Sequence, residues 1–313
     1  MQRKKIALIG AGHIGSMLAM MITQAQLGDI VLLDLPEKLN SSQGKVLDIL
    51  ALRAHAKSDI ELTASADFAA ISGANVVVIT AGMPRRPHMT REDLLSINLA
   101  IITAVSLEVK KFAPDAYVII STNPVDTMSQ AFYELTGFPK NRVIGLSGAL
   151  DSSRFRNFVA LETNLSPEDV ACLVMGGHGP TMIPITRTAT VGGIPLAAIM
   201  TAEQINKVVE RTREAGTEIV NLLGDGSAYF SSAGAILEMV EALILDKRRV
   251  ICSSVLCQGE YGVEGLFIGV PAVLGANGLE RIIEIELTPE EQEMLDNTVH
   301  AVSKSVITAG LMR

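Results

Sequence analysis

Two short motifs carry side chains suited to moving a proton beside a bound anion. They are Asp151-Ser152-Ser153-Arg154 and Gly176-Gly177-His178-Gly179, with Asp151 and His178 27 residues apart. On a helix, positions 151 and 154 share a face, so a carboxylate and a guanidinium stand about one turn apart. An imidazole flanked by glycines lies where main chain can approach a ligand closely. Beside a buried carboxylate, a neutral imidazole is held in one tautomer and accepts a proton on its other nitrogen. Arg154 can grip a substrate carboxylate through two parallel hydrogen bonds. Proton transfer next to a fixed carboxylate clamp is what reversible oxidation of a 2-hydroxy acid requires. Either motif alone is weak evidence, because a histidine in a glycine-rich stretch is more often structural.

The elements that must position these groups begin at the N-terminus. Ile6-Ala7-Leu8-Ile9-Gly10-Ala11-Gly12-His13-Ile14-Gly15 reads as strand, tight turn and helix. Gly10 permits the turn, Gly12 lets main chain approach a pyrophosphate, and Gly15 lets the helix pack on the strand. The helix N-terminus adds N–H groups and partial positive charge. His13 and Ile14 are counted with the cofactor-binding fingerprint by position, and the His13 ring is assigned no chemistry. A lone Gly-x-Gly-x-x-Gly is weak. This one follows a strand, opens a helix, and precedes Asp34, 24 residues after Gly10, at the end of a second strand. Asp34 suits the ribose hydroxyls and repels a 2′-phosphate, which predicts NAD rather than NADP. The competing reading of Asp34 is a loop cap.

Apolar runs at 5–10, 30–34, 60–63, 76–80, 117–121 and 143–145 read as strands of a parallel sheet covered on both faces. Helical patterns at 13–26, 44–56, 91–112 and 124–136 alternate with them. The expected fold class is α/β, a Rossmann doubly wound parallel sheet over residues 1–145 that binds the cofactor. A mixed α+β substrate domain is expected over 146–313. There, helices are predicted around Asp151 and at 201–223 and 228–247, with extended segments at 249–258 and 265–274. Thr288-Pro289-Glu290-Glu291 opens a last helix: Thr as N-cap, Pro at the first position, then acids facing the dipole.

Composition sets outer limits. Of 313 residues 48% are hydrophobic, and mean hydropathy is +0.34. No run reaches the roughly 18 apolar residues a membrane span needs, so the surplus belongs in a core or between subunits. The first residues lack the apolar stretch of a signal peptide. Cys172, Cys252 and Cys257 show no metal spacing and are odd in number, which suits core packing in a reducing cytoplasm. No metal site is expected. A net charge of −8, no tryptophan and 4% aromatics argue against nucleic acid as partner.

Together these motifs resemble the lactate/malate dehydrogenase superfamily, in particular its lactate-dehydrogenase-like bacterial malate dehydrogenases. The matching segments are Gly10–Gly15, Thr80-Ala81-Gly82-Met83-Pro84-Arg85-Arg86-Pro87, Arg91, Ser121-Thr122-Asn123-Pro124, Asp151–Arg154, Gly176–Gly179 and Gly269-Val270-Pro271. The resemblance implies an NAD-dependent malate dehydrogenase acting on malate and oxaloacetate. It makes His178 the proton acceptor, Asp151 its orienting carboxylate and Arg154 the clamp on the carboxylate beside the reacting carbon. Arg91 would polarise the carbonyl. Asn123 would reach the reacting oxygen and the nicotinamide end, and Asn98 would contact the cofactor. The bond from Asn123 to Pro124 is one that admits the cis form. Arg85 would bind the distal carboxylate, where lactate dehydrogenases carry glutamine. Residues 86–90 would form a closing lid. The family assembles as dimers and tetramers, so a homodimer or homotetramer is expected.

Departures from the family pattern are Pro180 for an aspartate, His88 for a glycine and Ser231-Ser232 for a frequent Ala-Pro. The loop after Asp34 also reads about two residues longer than the family pattern at Asn40-Ser41-Ser42. Pro180 fixes φ and removes a donor two residues from the imidazole. Two other readings stay open at this level. One is a lactate or other 2-hydroxy-acid dehydrogenase, disfavoured by Arg85. The other is an inactive nucleotide-binding homologue, disfavoured by the complete set Arg85, Arg91, Asn123, Asp151, Arg154 and His178.

Overall fold

The computed structural model describes residues 3–84, 89–224 and 228–312. Its first half runs β1 (Lys5–Ile9), α1 (His13–Ala25), β2 (Asp29–Leu33), α2 (Leu39–Ala56), β3 (Leu62–Ser65), β4 (Val76–Ile79), α3 (Arg91–Phe112), β5 (Tyr117–Ile120), α4 (Val125–Thr136) and β6 (Val143–Gly145). The six strands pair in parallel in the order β3-β2-β1-β4-β5-β6. Along β1, Ile6 and Leu8 enter one core cluster while Ala7 and Ile9 enter another on the opposite face. Apolar side chains are therefore needed at every position, and the strands show no polar alternation.

The second half comprises α5 (Gly148–Thr163), β7 (Val170–Ala171), β8 (Val174–Gly176), β9 (Met182–Pro184), β10 (Thr190–Val191), β11 (Ile194–Pro195), α6 (Ala202–Leu223), α7 (Phe230–Ile244), β12 (Arg249–Gln258), β13 (Glu264–Gly275), β14 (Gly278–Ile282) and α8 (Pro289–Thr308). The sheet does not stop at β6. Gly145 pairs with Ser254 of antiparallel β12, and β13, β8 and β9 follow, with β14 added on β13. A separate small sheet has the order β11-β10-β7. Thr288 caps α8 as expected, accepting from the Glu291 N–H at 3.2 Å while its own N–H reaches the Glu291 carboxylate at 3.0 Å.

Three expectations need correction. Helix α2 begins at Leu39, after a short turn at Pro36–Lys38, so Asn40, Ser41 and Ser42 are helical rather than an extended loop. Ser42 is buried and donates to the Lys38 carbonyl, which ties the first turn together. Helix α7 ends at Ile244, short of 247, because Asp246 and Arg248 take positive φ values of 50° and 49°. The strands β7, β8, β9, β10, β11 and β14 went unforeseen, since segments of two to five residues carry little readable period. Among the described residues, no helix is long and apolar enough to cross a membrane.

Candidate active site

Strand order reverses direction on either side of β1, between β2 and β4. Open parallel sheets bind ligands in the crevice outside the carboxyl ends of the strands at such a point. Gly10, Asp34 and Thr80 stand at those ends. Gly10 adopts φ 110°, and a side chain there would strike Thr80 and Ala81. Thr80 Oγ1 donates to the Gly10 carbonyl at 2.9 Å, joining β4 to the fingerprint turn. Gly15 touches Gly10 so closely that a Cβ would lie 1.9 Å from its carbonyl oxygen. Gly12 is different: nothing lies within 4 Å of the place its Cβ would occupy. As N-cap of α1 it offers no side-chain cap, so first-turn N–H groups face that space without a protein acceptor of that kind.

The Asp34 carboxylate accepts from Ala11 N–H at 3.2 Å and Leu35 N–H at 2.9 Å, with lone pairs to spare for hydroxyl donors. This cradle fits a dinucleotide: open main chain for the diphosphate and an oriented acid for the ribose. Lys45 of α2 also reaches the turn and donates to the Ala11 carbonyl. It brings a cation that the sequence reading left out. The His13 ring packs on Tyr229 with centroids 4.9 Å apart, and Ile14 packs on the core. Neither side chain is directed to a cofactor role by these contacts.

The Asp151–His178–Arg154 cluster is assembled by α5 and β8. A Cβ on Gly148 would lie 2.0 Å from the Val174 carbonyl, so only glycine lets the helix start this close to the strand. Ser152 Oγ accepts the Val174 N–H at 3.0 Å, setting their register. Asp151 thereby meets the residues leaving β8. Its Oδ2 lies 2.7 Å from His178 Nδ1, and its Oδ1 accepts from Arg154 at 3.1 Å. The Asp151 side chain is 1% exposed, that of Arg154 10% and that of His178 17%. Arg154 Nε is buried without a partner among the described residues. Burial opposes charging of the imidazole, but the adjacent Asp151 carboxylate outweighs it and raises the His178 pKa above its ordinary value. Bonded through Nδ1, the ring keeps Nε2 for an incoming proton.

The loop beyond the imidazole is also held. Met182 N–H bonds the Gly179 carbonyl at 3.0 Å, which closes a turn with Pro180 at its second position. Proline is preorganised for that position, so this departure is compatible with the loop. Thr298 of α8 donates to the Thr181 carbonyl at 2.8 Å.

Asn123 follows β5, is exposed, and is joined to Pro124 by a cis bond. Asn98 of α3 is 1% exposed. Its amide accepts from Met83 N–H at 2.7 Å and donates to the Met83 carbonyl at 3.2 Å and the Asn123 carbonyl at 2.7 Å. Both of its donor hydrogens go to main chain, so its observed work is to tie the Thr80–Pro84 segment to Asn123. Arg91 is the exposed first residue of α3, behind a Thr90–Asp93 capping box. Arg85, with Arg86, Pro87 and His88, lies outside the described residues. The sequence reading missed Asp126, a buried carboxylate in the first turn of α4. In sequence it passes for an ordinary acid facing a helix dipole.

The chain is similar to known proteins over nearly its whole length. Residues 4–145 match the lactate/malate dehydrogenase NAD binding domain, and residues 148–311 match the alpha/beta C-terminal domain of the same family. The chain is 48% identical to "Malate dehydrogenase 1" of Anaeromyxobacter dehalogenans, covering 97% of this chain and 98% of that one. It is also 48% identical to the malate dehydrogenase of Bacillus subtilis, covering 96% of each. Among solved structures, Cryptosporidium parvum malate dehydrogenase superposes with a TM-score of 0.96 at 39% identity, over 99% of this chain and 100% of that one. The lactate dehydrogenase of the same organism, complexed with lactic acid and NAD, gives 0.95 at 40%, over 100% of both. A dinucleotide cradle, a carboxylate-paired histidine and end-to-end likeness to both enzymes agree: the chain belongs to the lactate/malate dehydrogenase family.

Proposed function

We propose that this protein is an NAD-dependent malate dehydrogenase, interconverting malate and oxaloacetate. The Asp151–His178–Arg154 cluster carries the reading, and relatives at 48% identity named malate dehydrogenase support it. Malate and lactate dehydrogenase structures superpose equally well, so the fold does not choose the substrate. Arg85 does: a distal carboxylate enclosed by a lid needs a counter-charge. The direct test follows NADH consumption with oxaloacetate, with pyruvate and with no added acid. Pyruvate turning over as fast as oxaloacetate would refute the assignment.

Residues 1–145 hold the cofactor and contribute Arg85, Arg91 and Asn123 to the substrate site, and 146–313 contribute Asp151, Arg154 and His178. Gly10, Gly12 and Gly15, with the main chain of His13 and Ile14, hold the diphosphate, and Asp34 holds the adenosine ribose. Bound NAD supplies a hydride acceptor. Arg154 clamps the carboxylate beside the reacting carbon. His178 takes the hydroxyl proton at Nε2, and Asp151 stabilises the imidazolium that results. Arg91 and Asn123 bind the oxygen on which negative charge grows. Asn98 acts through Asn123. A cytoplasmic homodimer or homotetramer accompanies this reading, supported by exposed Leu47, Leu222 and Phe230 and three free thiols. Light scattering in solution tests the assembly.

Two expected results follow from the cofactor and acid–base groups. NADH should bind at least about tenfold more tightly than NADPH, about 1.4 kcal/mol, because a 2′-phosphate would face Asp34 while Lys45 is engaged by Ala11. Equal dissociation constants by calorimetry would remove Asp34 from that role. The second concerns pH. Malate oxidation needs neutral His178, whose pKa is raised. Its kcat/KM should therefore fall on acidification through a midpoint above the ordinary value of about 6.5. Oxaloacetate reduction needs the protonated ring and should fall on alkalinisation through the same group. Profiles that are flat in both directions from pH 6 to 9 (on the order of the range histidines cover) would contradict this.

A further inference from the structure

Among the described residues, Asp126 is a buried carboxyl that the proposed chemistry leaves unused. It is 7% exposed, and Ser254 Oγ of β12 donates to its Oδ1 at 2.6 Å. Its Oδ2 lies 3.8 Å from where a Cβ on Gly177 would stand. The main-chain N–H of His178 favours its ionised form. Asp126 thus stands three residues after Asn123 and beneath the Gly177–His178 main chain, linking the two segments that carry the reaction.

Its ionisation is costly. Burial pushes its pKa up to about 6, against the Ser254 hydrogen bond and the His178 imidazole, which favour the charge. No cation forms a salt bridge with it among the described residues. The ionisable groups around it are His178 from the loop after β8 and Asp151 from α5, with Arg154 acting on the same imidazole. Cys257 of β12 is held neutral by burial, its pKa pushed up to about 12. Helix α8 brings the Thr298 side chain against Gly177. An asparagine could accept from Ser254 equally well and would be cheaper to bury. A carboxylate is explained if its charge acts on the imidazole.

We propose that Asp126 is a positioning residue for His178: its carboxylate, fixed between Ser254 and the Gly177–His178 main chain, steadies the loop and gives the ring a second negative charge. This deepens the dehydrogenase reading and rests on it for the role of His178. With Asp126 ionised, the imidazolium is favoured, and both directions of the reaction feel the same shift. Removing the charge lowers the proton affinity of the ring. The acid limb of malate oxidation and the alkaline limb of oxaloacetate reduction must then move together towards lower pH. Loss of packing alone would weaken both reactions without moving either limb.

The test titrates the His178 ring by NMR in the free protein, with its signal assigned by its absence from His178→Asn. In Asp126→Asn the midpoint should fall by about half a unit to one unit, and both kinetic limbs should follow. The variant should melt higher than the native protein above pH 6 (about where Asp126 ionises), with the gain fading towards pH 4, roughly the unfolded carboxylate's value. That follows because a raised carboxyl pKa opposes folding only where the group is ionised. Ser254→Ala is the second variant. It removes a donor that stabilises the Asp126 charge, so Asp126 takes up its proton at higher pH and the His178 midpoint falls again. If Asp126→Asn fails to fold, Ser254→Ala decides. An unmoved His178 midpoint in a folded variant overturns the proposal. A shifted midpoint in a protein that turns over no 2-oxo acid supports Asp126 and defeats the dehydrogenase reading instead.

Discussion

Replacing Arg85 by glutamine should cut kcat/KM for oxaloacetate by roughly 30- to 5,000-fold, the equivalent of about 2–5 kcal/mol. On the proposed reading, the physical source is a distal carboxylate left unpaired where it is withdrawn from water. Pyruvate has no such group and should lose nothing; it gains if the unpaired guanidinium had opposed its binding. The preference between the two acids should therefore shift towards pyruvate by at least about tenfold. Arg154→Gln is the matching control. Its guanidinium is bound to Asp151, and on the proposed reading it holds the proximal carboxylate that both substrates carry, so both should suffer. Steady-state kinetics of the two variants on both acids separates these roles. Equal losses on both substrates in Arg85→Gln would mean that Arg85 serves lid closure in general, and the malate assignment would lose its main physical support.

Replacing His178 by asparagine should abolish most turnover, by about 100- to 10,000-fold, while NADH affinity stays nearly unchanged. The reason is that different residues build the two sites. The imidazole is bound to Asp151, whereas the dinucleotide cradle is built from Gly10, Gly12 and Asp34. Single-turnover rates with oxaloacetate, together with calorimetry on NADH, measure the two effects independently. A variant that reacts near the native rate would take the proton-transfer role away from His178. One that loses NADH binding as well would show that the loop after β8 shapes the cofactor site.

Much of this molecule was legible as local pattern. Every residue of β1, β2, β4 and β5 that must face a helix layer is apolar, and the fingerprint places a turn and a helix start directly after β1. The acid–base motifs were legible for a related reason: Asp151 and Arg154 are neighbours by helical period, so one stretch of chain defines their spacing. Local pattern misled where a main-chain choice depended on neighbours. Asn40, Ser41 and Ser42 look like a loop, yet they form the first turn of α2, tied down by Ser42 to the Lys38 carbonyl. The two-residue strands β7, β10 and β11 exist only because they pair with one another.

Residue type and order were enough to specify a doubly wound sheet and a dinucleotide turn, because each follows from one repeating period or from a few adjacent residues. The pairing of Asp151 with His178, 27 residues on, was instead implied by the family resemblance and is made by the packing of α5 on β8. Burial and long-range pairing were decided only in three dimensions. Asn98 carries the same amide whether it faces a cofactor or main chain, and only folding brings Met83 and Asn123 to it. Asp126 looks like any acid at a helix start until β12 and the His178 loop close over it. Its cost and its use both come from the water that packing removes, and the exclusion of water is a property of the assembled chain rather than of any segment.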